Sequence, residues 1–113
     1  MVLRRMHLVA LREAALETFV DRVVEHVAGA FPAAYREHER LGVRALVERA
    51  VVCAEEAGIA SEAGICGYVE AWFRHGIAFD RADPELQRRL RDSELTEDEK
   101  LAALEAAGRG VRA

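Results

Sequence analysis

A chain of 113 residues with 51% hydrophobic and 32% charged side chains has material for one hydrophobic core but not for two, and is too apolar to stay disordered. Its net charge is −4, and Lys100 is the only lysine among 16 basic residues. That balance offers no basic face for nucleic acid, and the arginine excess reads as coding-sequence composition. No apolar stretch is long enough to cross a membrane. Arg12 and Glu13 interrupt the first apolar run before a signal-peptide core is complete, so a cytoplasmic location is expected. Cys53 and Cys66 lack metal-ligand spacing and fit a reducing compartment. Their near-equal distance from the turn at Gly58–Ser61 leaves open a disulfide between antiparallel helices.

In chain order, residues 7–29 read as a long amphipathic helix. Leu8, Leu11, Ala15, Leu16, Phe19, Val23 and Val27 share one face, and Glu13, Glu17, Asp21 and Glu25 lie opposite. Phe31-Pro32 then opens a short helix over 33–40, with proline in the first turn where it sacrifices no hydrogen bond. Gly42 is expected to interrupt it. Val43 to Ala57 resumes with Val43, Leu46, Val47, Ala50, Ala54 and Ala57 in register, a face small enough for close helix approach. Gly58 ends this helix in the left-handed conformation, and Ser61 caps the next one, with Glu62 at the positive end of its dipole.

The helix over 62–75 carries the densest aromatic face. Ile65, Tyr68, Val69, Trp72 and Phe73 fall at i, i+3, i+4, i+7 and i+8, so they bury together, while Glu70 and Arg74 pair in water. Gly76 stops the helix. Ile77 and Phe79 are expected to fold back on the core, with Asp80 facing solvent. Asp83-Pro84 starts a further helix that turns Leu86 and Leu90 inward. Thr96 and Glu99 form a capping box for the last helix, which Leu101 and Leu104 anchor until Gly108. The reading is therefore an all-α bundle of about four to six helices with short loops. It is one domain over 1–113, with 1–6 and 108–113 frayed.

Few constellations could carry chemistry. No two of His7, His26, His38 and His75 are spaced as a helical metal pair, so neither a metal nor a cofactor is expected. His38-Glu39 begins like a zinc-protease motif, but Gly42 stands where its second histidine would be. Asp80 and Asp83 read as turn and cap residues before they read as paired acids. Ser61 and Ser93 lack a nucleophile elbow, and glycine-rich phosphate loops are absent. The sequence thus points away from an enzyme and toward a module that binds another protein. Apolar residues left over from the assigned faces are the candidate partner-binding positions: Val20, Val24, Val51, Val52 and Ile77, bordered by Arg22 or Arg49.

The order of these features resembles a group of small uncharacterised helical bacterial proteins associated with type VI secretion gene clusters. The residues that carry the resemblance are Phe31-Pro32, Ala57-Gly58-Ile59 with Ser61-Glu62, Tyr68-Val69, Phe73, Gly76, Phe79-Asp80, Asp83-Pro84-Glu85-Leu86, and Lys100-Leu101 with Leu104. The resemblance implies a non-enzymatic accessory, an adaptor or chaperone that holds a secreted effector or spike protein. The alternative is an immunity protein that neutralises a cognate toxin.

Overall fold

The structure is a computed structural model that describes the backbone of residues 2–112 and the side chains of residues 14–110. It is all-helical, a bundle joined by short loops: α1 (Val2–Ala30), α2 (Pro32–Glu56), α3 (Glu62–His75), a 3-10 turn (Phe79–Ala82), α4 (Pro84–Leu90) and α5 (Glu97–Arg112). No strand occurs among the described residues. None of their helices is long and apolar enough to cross a membrane. Leu8 and Leu11, expected on the inner face of the first helix, lie outside the described side chains.

Pro32 opens α2 as expected, and the single residue Phe31 between the two helices forces α1 and α2 to run antiparallel. Ion pairs from Arg40 to Glu25 at 2.7 Å and from Arg44 to Asp21 match that antiparallel register. The expected break at Gly42 does not occur. The interruption sits at Glu39, with φ +59° and ψ 171°, while Gly42 stays helical. A mid-helix glycine costs only about 1 kcal/mol against alanine, and the burial of Val43 and Val47 just beyond it outweighs that.

The α2–α3 junction follows the sequence closely. Gly58, at φ +80°, donates its N–H to the Glu55 carbonyl, and Ile59 donates to Ala54, both at 2.9 Å. This is a Schellman motif, closed by burial of Ile59 and Ala54 together. The buried Lys100 ammonium reaches across from α5 to donate to the Ala57 carbonyl at 2.7 Å. Ser61 then caps α3 by accepting from Gly64 N–H at 3.0 Å. From the first turn of α5, the Glu97 carboxylate accepts from the N–H groups of Ala60 and Ser61 and from the Ser61 hydroxyl, each at 3.1 Å. The hydrogen bond from Ser61 N–H, the largest influence, holds the Glu97 carboxyl below its ordinary value.

The aromatic face of α3 forms the centre of the core, with Tyr68, Val69 and Trp72 buried and the half-buried Phe73 tilted against Phe31. Asp80 departs from its expected solvent position and is 0% exposed. Gly76 at φ +136° and Ala78 at φ +59° reverse the chain after α3, and the reversal swings Asp80 beneath that helix. Its carboxylate accepts from the Tyr68 hydroxyl, from Trp72 Nε1 at 2.8 Å and from Gln87 Nε2 at 3.1 Å. Burial first, and then the bond to Asp80, push the Tyr68 phenol above its ordinary value. Asp83 accepts from Leu86 N–H to cap α4 behind Pro84, as expected.

The capping box of α5 is also as expected, with Thr96 N–H donating to Glu99 at 2.9 Å and Glu99 N–H to Thr96 Oγ1 at 3.1 Å. Gly108, however, neither ends α5 nor begins a frayed tail. It is buried inside the helix, where an added Cβ would sit 2.2 Å from His75 Cδ2, so the glycine is a close-packing residue.

Asp80→Ala should destabilise the protein by about 3 kcal/mol or more, because the Tyr68 and Trp72 donors are left buried without an acceptor. Urea unfolding followed by Trp72 fluorescence checks this, and a midpoint near that of the parent would mean that these donors do not depend on Asp80. Gly58→Ala should cost roughly 1 kcal/mol or more, since a Cβ is disfavoured at this φ. A gain in stability would mean that α2 runs through the turn.

The lowered Glu97 carboxyl contributes stability above its ordinary value of 4.5 and loses it as pH falls through the still lower folded value. Glu97→Gln should therefore melt below the parent at neutral pH, with the difference closing in acid. A gap independent of pH would assign the effect to something other than this carboxylate.

Candidate functional site

Between α1 and α2 lies a groove of about 310 Å³, with Leu16, Glu17 and Val20 on one side and Arg44, Glu48, Val51, Val52 and Glu55 on the other. Val20 and Val51 are buried in its floor. Leu16 and Val52 form its walls, 45% and 55% exposed. Burying two such aliphatic walls under a partner would supply the apolar centre that interfaces use.

The rim has one dominant sign. Among the described residues of the rim, Glu17, Glu48 and Glu55 stand with one guanidinium, that of Arg44. Arg44 is already engaged with Asp21 and, at 3.1 Å, with Glu48. Its hydrogen bond to Asp21, the leading cause, holds it above its ordinary value. The groove therefore presents an apolar strip with net acidic edges, a surface that suits a cationic amphipathic segment. Among the described residues its lining contains carboxylates and one guanidinium but no thiol, hydroxyl or imidazole.

Of the five candidate partner-binding residues, only Val52 stands clear in solvent. Val20, Val24 and Val51 are core residues at 3%, 1% and 3% exposure, and Ile77 is half-buried against the core. Val20, Val24 and Val51 thus drop out as exposed candidates, for a physical reason. α1 packs on both α2 and α3, and two neighbours require a buried arc wider than a single stripe. Val20 and Val24 fill that arc beside Phe19, Val23 and Val27. Leu16, assigned to the inner face, instead lines the groove. Arg22 is not on the rim either, since it pairs with Glu62 of α3 at 3.1 Å.

Asp80, Asp83 and His75 are held by contacts within the fold. Asp80 is enclosed by its donors, and Asp83 is a cap. His75 is buried edge-on to Phe79, its Nε2 lies 2.7 Å from Glu105, and its Nδ1 has no partner. Cys53 and Cys66 are both free, which leaves the helices unlinked by a disulfide. Burial pushes both thiols up. One group was missed by looking for histidine pairs within a single helix: His26 of α1 meets Cys66 and Glu70 of α3, with one donor atom of each within 4.8 Å of the others. Only the Cys66–Glu70 spacing, one helical turn, is visible in sequence. Comparison of the chain with protein-family models, with curated proteins and with solved structures finds no match.

Proposed function

We propose that this protein is a non-enzymatic, protein-binding accessory whose α1–α2 groove receives a cationic amphipathic helix of its partner. The observation that carries this reading is the apolar strip of Leu16, Val20, Val51 and Val52 bordered by Glu17, Glu48 and Glu55. A helix laid in such a groove inserts apolar side chains at i and i+3 or i+4 while its basic residues meet the carboxylates. Within this reading, the resemblance to proteins of type VI secretion clusters makes the partner a secreted effector or spike protein, held in the cytoplasm by an adaptor or chaperone. The acidic rim equally suits an immunity protein that covers a basic toxin site. The two roles separate in cells, because an immunity protein rescues growth when the toxin is expressed, whereas an adaptor changes secretion without protecting.

The direct test uses a synthetic helical peptide with leucine on one face and lysine on the other, alongside its leucine–glutamate counterpart. The lysine peptide should bind, weaken as salt rises, and lose at least tenfold affinity to Val52→Arg, which places a like charge in the apolar wall. The helical signal and melting temperature of that variant should match the parent, because position 52 is exposed. Val24→Arg, by contrast, should unfold the domain. Equal binding of both peptides, or unchanged binding by Val52→Arg, would remove the groove from the interface.

A further inference from the structure

The geometry points to a Zn²⁺ site formed by His26, Cys66 and Glu70 across the α1–α3 interface. His26 Nε2 lies 3.3 Å from Glu70 Oε1, and Cys66 Sγ lies 3.6 Å from that same oxygen. In a tetrahedral zinc site with bonds of about 2.0–2.3 Å, neighbouring donor atoms stand about 3.3–3.7 Å apart. Two of the three edges already have tetrahedral length. The third is no longer than 4.8 Å, so a small side-chain rotation closes it.

The supports of the site are rigid. Val23 and Val27 bury α1 on one side of His26, and Ile65 and Val69 bury α3 beside Cys66 and Glu70. The donors therefore project from packed helices and not from loops. Glu70 is oriented as well, because Arg74 donates to its Oε2 at 3.2 Å and is itself held by Glu105 at 2.7 Å. That leaves Oε1 aimed at His26 and Cys66, the outer-shell arrangement that fixes a ligating carboxylate.

The donor set selects the ion. Calcium and magnesium take oxygen ligands, whereas one imidazole, one thiolate and one carboxylate suit borderline zinc. The side chain of His26 is 45% exposed, so the fourth position faces solvent and is open to water or to a donor from a partner. Coordination replaces the thiol proton: the Cys66 S–H bond breaks, a sulfur–zinc bond forms, and one proton leaves to the buffer. In the absence of metal, burial and the neighbouring Glu70 charge oppose that ionisation. Two positive charges on zinc reverse the effect of Glu70.

Titration of the full chain with Zn²⁺ by calorimetry should give one site, with an enthalpy that depends on the buffer's ionisation heat because a proton is released. Co²⁺ should give a tetrahedral visible spectrum with a sulfur-to-cobalt charge-transfer band. Cys66→Ser should remove that band, and His26→Ala and Glu70→Gln should each weaken Zn²⁺ binding at least tenfold. Zinc should raise the melting temperature of the parent and not of the variants. His26 is exposed, so its variant keeps the fold and supplies the decisive comparison if Cys66→Ser does not fold. The assignment is overturned if Zn²⁺ fails to bind stoichiometrically, or if His26→Ala binds it as tightly as the parent.

Discussion

The buried carboxylate of Asp80 is the constraint on which the C-terminal half of the bundle depends. A carboxylate removed from water is tolerable only where donors replace its hydration. Here the Tyr68 hydroxyl, the Trp72 indole and the Gln87 amide do so from two helices. Tyr68 and Trp72 are one turn apart on α3, so a single acceptor beneath them fixes the depth and rotation of both rings. Gln87 also donates to the Asp80 carbonyl at 2.9 Å and thereby draws α4 onto the same point. The aromatic pair supplies the apolar area, and Asp80 determines which way that area faces.

A second set of polar contacts places α5. Lys100 completes the end of α2, and Glu97 completes the beginning of α3, although both residues belong to the first turns of α5. Helix ends carry unpaired backbone groups whose partners usually come from nearby sequence. At the α2–α3 turn the local Schellman and Ser61 caps are supplemented by these groups from about 40 residues away, so the turn is complete only when α5 has docked. Gly108 then lets the far end of α5 approach the His75 ring, where Glu105 pairs with that imidazole.

Among the described residues, α3, α4 and α5 pack on the core and on one another, while the exposed aliphatic side chains of Leu16 and Val52 line the groove between α1 and α2. Under the proposed function, the acidic rim there would restrict partners by charge as well as by shape. Electrostatic complementarity of this kind sets encounter rate and partner choice more than final affinity. The His26, Cys66 and Glu70 cluster lies on the other contact of α1, that with α3. A metal bound there would hold in place the helix that also carries one wall of the groove.

The helix boundaries were legible in the sequence because caps are local. Gly58, Ser61, Gly76, Asp83-Pro84 and the Thr96/Glu99 box satisfy backbone groups within four or five positions of themselves, so their roles follow from spacing alone. The all-helical class and the burial of Tyr68 and Trp72 follow from periodicity for the same reason. Only the tertiary structure decided which way the remaining side chains turn. Val20, Val24 and Val51 are core because α1 and α2 each meet more than one neighbour, and a helix's own period does not reveal how many helices will surround it. Asp80 is buried because the backbone reverses at Gly76 and Ala78, and Gly42 and Gly108 remain helical because packing outweighs their weak local preference. The acidic groove and the three-residue cluster both join α1 to residues far along the chain on α2 or α3, and a distance in space between two helices is not written in the spacing along either one.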